Sequence, residues 1–144
     1  MIQLASLLKV NLIAVFVAAA IGIGIDMYWF SPRCFGKQWI KLSGFSQKEF
    51  KEAQKNNNMG MIIFFASIAM LLTSLILANI VKLIGITDLA SGAQIGFLLW
   101  LGLVAPVQLG IVLWESKPFK LFLIQTLHEL VILVIIGALL AVWA

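Results

Sequence analysis

Long apolar stretches alternate with short polar segments along the chain. Four of the apolar stretches are long enough to cross the hydrocarbon core of a bilayer, which takes about 20 residues in a helix. Lipid offers no partners for backbone N–H and C=O groups, so each stretch should be an α-helix. The stretches run over residues 10–30, 59–81, 89–114 and 121–143. The pattern therefore predicts an all-α fold, an integral membrane four-helix bundle that forms a single transmembrane domain over residues 1–144.

The first apolar stretch has some features of a cleaved signal sequence. Lys9 precedes it, and the small residues 18–20 resemble a cleavage site. However, the apolar run continues to Phe30, which is long for the core of a signal sequence. We therefore expect this stretch to be retained in the protein as the first span.

The longest polar segment, residues 31–58, connects the first two spans. Within it, Ser46 and Glu49 have the spacing of a capping box, in which each side chain bonds the backbone of the other residue. This spacing predicts a short amphipathic helix over about residues 47–56. Its weak apolar side, which includes Phe50, favours a position at the level of the lipid headgroups. A helix that docks a partner protein is the alternative.

Composition and charge agree with a membrane location. Hydrophobic residues make up 62% of the chain and charged residues 11%, whereas a soluble domain has about 25% charged residues. Loops 31–58 and 115–120 hold eight of the ten Lys and Arg residues, and basic loops stay on the cytoplasmic side. We therefore expect an integral membrane protein with both termini outside and these two loops cytoplasmic. This orientation accounts for the +4 net charge, so the expected partner is the lipid bilayer and not a nucleic acid.

Small residues mark the helix faces that should pack. Three pairs have the four-residue spacing that lets helix backbones approach in lipid: Ala18 and Gly22, Ala20 and Gly24, and Gly92 and Gly96. Pro106 should kink the third span. These packing faces and the small size of the chain also predict a homo-oligomer, and they leave open a contact with another membrane protein.

Polar side chains inside the predicted spans are the candidate functional residues. Ionisable groups at mid-span cost about 2.5–3.5 kcal/mol on insertion scales, and they often have a function. At about 1.5 Å per residue, Asp26 lies about 7 Å and His128 about 14 Å from the cytoplasmic ends of their spans. Residues three and four apart share a helix face. Gln125, His128 and Glu129 have this spacing, so they lie on one face of the fourth span. The predicted polar cluster opens toward the cytoplasm and consists of Asp26, Gln108, Gln125, His128 and Glu129.

Two functions fit this cluster. A carboxylate beside an imidazole can exchange protons near neutrality. The first hypothesis is therefore a homo-oligomeric proton-coupled transporter or cation channel, with Glu129 as the exchanging carboxylate and Asp26 and His128 as its partners. The second is a structural or accessory membrane subunit, in which the buried polar residues only fix the packing of the helices. The residues alone do not decide between these two functions.

Enzymatic chemistry has little support in the sequence. Cys34 is the only cysteine and His128 the only histidine, whereas metal sites usually need three or four protein ligands. Asp26, His128 and Glu129 could supply three ligands only if the first and fourth spans are neighbours. We therefore expect no catalytic residue, no metal and no cofactor. A membrane enzyme that acts on a lipid or a small electrophile is the least favoured alternative.

Several short motifs are similar to those of a known family. They are Tyr28-Trp29-Phe30-Ser31-Pro32, Phe35-Gly36-Lys37-x-Trp39, the stretch Gly96-Phe97-Leu98-Leu99-Trp100-Leu101-Gly102, and His128 in the fourth span. The chain resembles, over nearly its whole length, domain-of-unknown-function family 1761, a family of small four-span bacterial membrane proteins. The resemblance implies a fold and a location in the bacterial inner membrane. It implies no activity, because the function of that family is unassigned.

Overall fold

A computed structural model of the protein describes residues 5–6 and 9–144. Within these residues, four helices are long and apolar enough to cross a membrane, and no strand is present. The four spans are Leu12–Trp29, Met59–Ile84, Leu89–Leu113 and Phe119–Trp143. The structure therefore confirms the all-α fold with four membrane-spanning helices.

The helices are labelled in chain order. The first four are α1 (Leu12–Trp29), α2 (Gly36–Leu42), α3 (Gln47–Asn56) and α4 (Met59–Ile84). The others are α5 (Leu89–Leu99), α6 (Ala105–Gln108), α7 (Gly110–Leu113) and α8 (Phe119–Trp143). The third span thus consists of α5, a π-helical segment over Trp100–Val104, α6 and α7. The second span continues to Ile84, where Gly85 ends it in the left-handed conformation with φ 78°.

Helix α8 is the centre of the bundle. It packs against α1 and α4, which also pack against each other, and against α5 on another side. The core between α8 and α4 is formed by fully buried aliphatic side chains such as Ile132, Ile136 and Leu77. Most contacts of α5 are with α8. The fourth span is therefore the most buried of the four, while the third span leaves most of its apolar surface free to face lipid.

Glycines let α5 and α8 touch backbone to backbone. A Cβ atom on Gly92 would lie 2.4 Å from the carbonyl oxygen of Gly137, and one on Gly96 would lie 2.1 Å from that of Leu133. Both separations are well below van der Waals contact, so neither position has room for a side chain. Gly92 and Gly96 thus lie in the contact between α5 and α8, where the small-residue spacing predicts a packing face.

The two small-residue pairs on α1 differ in their surroundings. Ala18 and Gly22 are buried, and a Cβ atom on Gly22 would lie 2.5 Å from the sulfur of Met70 on α4. Ala20 is exposed, and a Cβ atom on Gly24 would meet nothing within 4 Å. The interpretation of the second pair as a packing face is therefore wrong within the bundle. Only the face that carries Ala18 and Gly22 packs against another helix.

The third span is interrupted near Pro106. Residues Trp100–Val104 form a π-helix, and α-helix resumes at Ala105. Proline has no N–H group, and its ring clashes with the carbonyl of the residue four positions earlier, which is Gly102 here. The wider π-turn directly before the proline relieves this clash. The indole N–H of Trp100 donates to the carbonyl oxygen of Thr126 at 2.7 Å and so ties the irregular segment to α8.

Helix α3 begins at the predicted capping box. The Ser46 hydroxyl accepts a hydrogen bond from the Glu49 backbone at 3.1 Å, and the Glu49 carboxylate accepts one from the Ser46 backbone at 2.9 Å. A capping side chain also starts α5, where Asp88 accepts a hydrogen bond from the backbone of Ser91 at 2.9 Å. This bond holds the pKa of Asp88 below its ordinary value. The sequence therefore specifies the first residue of both helices through their caps.

Helix α2 is not predicted by the sequence pattern. It has seven residues, and its cap residue Phe35 makes no side-chain hydrogen bond. Trp39 of α2 packs instead against Phe30 and Phe50, with ring centroids 5.3 and 5.8 Å apart. Tertiary aromatic contacts therefore hold α2 and α3 against the end of α1.

The loops and the termini lie at opposite ends of the bundle. The ammonium group of Lys117, in the connection before α8, donates to the Ser43 carbonyl at 3.2 Å and joins the third connection to the first. At the other end, the side-chain amide of Asn11 donates to the Trp143 carbonyl at 3.3 Å. The two basic loops thus lie at one end of the molecule, because two membrane spans separate them along the chain.

Candidate functional site

Three ionisable side chains meet where α1 contacts α8. The Nε2 atom of His128 lies 2.6 Å from Asp26 Oδ1 and 3.7 Å from Glu129 Oε1. The His128 side chain is 10% exposed, whereas those of Asp26 and Glu129 are 35% and 34% exposed. The imidazole is therefore enclosed, and the carboxylates lie at the edge of the bundle. We call Asp26, His128 and Glu129 the carboxylate–histidine cluster.

The helix faces that pack α1 on α8 also bring the cluster together. Ala18, Gly22 and Asp26 follow one another at four-residue steps on α1, so they lie on one face of that helix. On α8, His128 and Ile132 have the same spacing, and both are buried. On the α1 face, Gly22 leaves room for Met70 of α4, whereas Asp26, one turn later, contacts His128 of α8.

The second nitrogen of the imidazole is also occupied. His128 Nδ1 lies 2.7 Å from the backbone carbonyl oxygen of Gln125. A carbonyl oxygen can only accept a hydrogen bond, so Nδ1 must carry a hydrogen. The bond between Nε2 and Asp26 then needs one proton, which comes from an imidazolium ion or from a protonated carboxylic acid. The Asp26–His128 pair therefore holds one shared proton.

The charge of the cluster depends on Glu129. With its shared proton, the Asp26–His128 pair is neutral overall in either arrangement. The cluster then carries one negative charge when Glu129 is ionised and none when Glu129 is protonated. Within the described residues, neither carboxylate forms an ion pair with Lys or Arg. Proton exchange at Glu129 therefore changes the charge of a site between two membrane spans.

Aromatic rings surround the imidazole. Phe30 lies edge-on to His128 with ring centroids 4.9 Å apart, and the Trp29 ring lies 6.3 Å away. The indole N–H of Trp29 donates to the Ile124 carbonyl oxygen at 3.0 Å, which adds a second bond between the end of α1 and α8. Neither ring stands out in the sequence as a site residue. Their spacing of three and four residues from Asp26 is the signal that places them on its face.

The two glutamines of the predicted cluster lie elsewhere. Gln125 contributes its backbone carbonyl, while its side chain lines a separate pocket of about 240 Å³ beside Glu115 and Lys117. The side-chain oxygen of Gln108 is buried, and in the described part of the chain it has no hydrogen-bond partner. No hydrogen bond there joins Gln108 to His128. The structure thus brings together three of the five candidate residues by their side chains.

The cluster lies closer to the end of α1 than to the end of α8. Asp26 is three residues from the end of α1, about 5 Å, whereas His128 is nine residues from the start of α8, about 14 Å. Since these residues are in contact, α8 must begin beyond the end of α1. Helix α2 packs against α8, whose early residue Leu121 is buried. Counting along α1 and along α8 therefore gives two different depths for the same cluster, about 5 Å and about 14 Å.

Proton transfer is the chemistry that this arrangement supports. Both imidazole nitrogens are engaged in hydrogen bonds, so neither is free to bind a metal ion. Across the described residues, no group of three or more His, Cys, Asp or Glu side chains could hold one. By contrast, a shared proton and a nearby second carboxylate are the elements of a proton relay.

Comparison with known proteins provides a family and no activity. The sequence model of the family described as "Protein of unknown function (DUF1761)" matches residues 13–141. This match covers nearly all of the four spans, and it confirms the resemblance seen in the sequence. None of the curated proteins and none of the solved structures matches the chain. The geometry of the site is therefore the basis for any functional proposal.

Proposed function

We propose that this chain, which belongs to the DUF1761 family, is a small proton-coupled membrane transport protein whose proton site is the carboxylate–histidine cluster. One observation carries the proposal: an imidazole with both nitrogens occupied lies between two partly exposed carboxylates on two membrane spans. Ionisable groups inside spans are costly and mark proton relays in many transporters. The multi-pass membrane location supports the same class of function.

The cluster can pass a proton from one carboxylate to the other through a single nitrogen. Glu129 takes up a proton from water and, after a side-chain rotation, approaches Nε2 of His128 from its present 3.7 Å. The shared proton moves fully onto Asp26, and Nε2 receives the proton of Glu129. Asp26 then releases its proton to water and accepts the hydrogen bond from Nε2 again. One proton enters and one leaves, so the cluster returns to its starting state.

A homo-oligomer would complete the path across the membrane. The core of the described bundle is filled by buried aliphatic residues such as Leu77, Ile132 and Ile136, none more than 2% exposed. The carboxylates lie instead at the outer edge of the α1–α8 contact, with about a third of each side chain exposed. A second copy packed against this edge would enclose a polar path between the two chains.

The proposed orientation has both termini outside and loops 31–58 and 115–120 in the cytoplasm of a bacterium. Eight of the ten basic residues lie in these two loops, and basic loops are retained on the cytoplasmic side. The cluster lies at the end of α1 that leads into the first of these loops. It would therefore exchange protons with cytoplasmic water.

Proton flux in proteoliposomes tests the proposal. Purified protein is reconstituted with an internal pH-sensitive dye, and flux is measured after a pH jump with potassium and valinomycin to balance charge. Glu129→Gln keeps the size of the side chain and removes its exchangeable proton. We expect it to lower flux on the order of 100-fold, the usual contribution of a positioned proton-transfer group. Glu115→Gln, the same change in an exposed loop, should leave flux unaltered.

A structural role for the cluster is the second candidate. The 2.6 Å bond between Asp26 and His128, together with the bond from Trp29 to the Ile124 carbonyl, fastens the end of α1 to α8. If the cluster only holds α1 against α8, vesicles that contain the wild-type protein will show no more proton flux than protein-free vesicles. Flux equal in the wild type and in Glu129→Gln would likewise count against a transport role for the cluster.

A further inference from the structure

A pocket separate from the proton site lies between the end of α1, the two short helices and the start of α4. Its volume is about 700 Å³. The wall combines aromatic and aliphatic side chains with two lysines and two glutamines, and it contains no acidic residue. The lining includes Met27, Phe30, Trp39, Met59, Lys37 and Lys51.

The apolar part of the wall belongs to the membrane spans. Met27 on α1 and Met59 and Ile62 on α4 line the pocket, and these residues are 72%, 44% and 47% exposed. All three lie within one turn of the end of a span that leads into residues 31–58. This part of the pocket is therefore at the depth where lipid chains meet their glycerol backbones.

The polar part of the wall belongs to α2 and α3. Lys37 and Lys51 line the pocket, and in the described part of the chain neither forms an ion pair. Trp39 also lines it, and its ring packs against Phe30 and Phe50. Two lysines without an ion pair, in a wall that has no acidic residue, favour an anionic group.

We propose that this pocket binds an anionic phospholipid. The headgroup phosphate lies between Lys37 and Lys51, and the start of an acyl chain lies along Met27, Met59 and Ile62. Basic residues near a membrane surface attract acidic lipids, and the apolar wall distinguishes a lipid from a free phosphate ion. The site does not depend on the proton-transfer function, although Phe30 both lines the pocket and contacts His128.

Native mass spectrometry of the detergent-solubilised protein tests this site. Phosphatidylglycerol is titrated against phosphatidylcholine, and the bound fraction of each is read from the mass spectrum. The test variant is Lys37→Gln with Lys51→Gln. The control variant is Lys41→Gln with Lys48→Gln, which removes the same charge from the same two helices but from residues outside the pocket.

We expect wild type and control to retain phosphatidylglycerol in preference to phosphatidylcholine, and the test variant to bind it about 10-fold more weakly. Equal weakening in both double variants would overturn the proposal, because it would mean a diffuse effect of charge. Equal retention in all three proteins would overturn it as well. Glycerol 3-phosphate and inorganic phosphate in excess should not displace the lipid; displacement by either would show that the pocket takes a soluble phosphate instead. Circular dichroism confirms that each variant is folded.

Discussion

A substitution at Asp26 can keep the hydrogen bond to His128 and remove the exchangeable proton of the carboxyl group. In Asp26→Asn the side-chain amide can donate to Nε2 of His128, whose Nδ1 hydrogen stays on the Gln125 carbonyl. We expect the free energy of unfolding to change by less than about 1 kcal/mol, the usual net worth of one such bond. Proton flux should nevertheless fall, because an amide has no proton to exchange. Unfolding in mixed micelles and flux in vesicles measure the two effects separately.

Asp26→Ala is the matched comparison for that variant. It leaves the buried Nε2 of His128 without a partner, which costs about 1–3 kcal/mol. The alanine variant should therefore be clearly less stable than the asparagine variant. Equal destabilisation by both would mean that the charge of Asp26 itself holds α1 to α8. That result would favour the structural role of the cluster.

At the scale of single residues, part of the site could be predicted because ionisable side chains are rare inside membrane spans. Asp26, His128 and Glu129 stand out because ionisable groups inside apolar spans are expensive. The acceptor of the Nδ1 hydrogen could not be foreseen, because it is a backbone carbonyl, which every residue has. Gln108 has the same side chain as Gln125, yet the two lie in different surroundings. Side-chain type alone therefore names candidates and does not identify their partners.

At the scale of helices, the contact between α5 and α8 depends on glycine. A Cβ atom on Gly96 would lie 2.1 Å from the Leu133 carbonyl oxygen, so α5 would have to move away from α8. We expect Gly96→Ala to reduce the free energy of unfolding by about 1–3 kcal/mol, as overpacking usually does. Gly24→Ala is the control, because its new methyl group would meet nothing within 4 Å.

Thermal unfolding in one detergent gives the comparison between these two variants. Gly24→Ala should be neutral or more stable by up to about 1 kcal/mol, since alanine favours helix more than glycine does. A stable Gly96→Ala would mean that the third span can shift away from α8 without loss. A destabilised Gly24→Ala would mean instead that the exposed face of α1 packs against something outside the single bundle, such as a second copy.

A helix can be predicted from the sequence when neighbouring residues in the chain determine it, and not when contacts with other helices do. The four spans follow from length and hydropathy, and α3 follows from the capping box of Ser46 and Glu49. Helix α2 has no side-chain cap and is held by rings from other elements, so no local pattern reveals it. Pro106 reveals that the third span is interrupted. The form of that interruption, a π-helical turn over Trp100–Val104, depends on packing against α8.

At the scale of the whole molecule, orientation decides which compartment supplies the protons. The carboxylate–histidine cluster lies near the end of the bundle that carries loops 31–58 and 115–120. If this end is cytoplasmic, the cluster exchanges protons with the cytoplasm, and a transport cycle must carry them across the remaining depth of the membrane. If it is external, the same residues sense the outside pH.

Cysteine labelling in intact cells distinguishes these orientations. Cys34 is first replaced by serine, and single cysteines are then introduced as Lys48→Cys in α3 and as Thr87→Cys in the connection between α4 and α5. Because these positions lie at opposite ends of the bundle, a membrane-impermeant maleimide should react with only one of them. We expect it to label Thr87→Cys in intact cells and Lys48→Cys only after permeabilisation, since the basic loops stay inside. The reverse pattern would invert the orientation and place the cluster near the external face, where a transport cycle would begin with protons from outside.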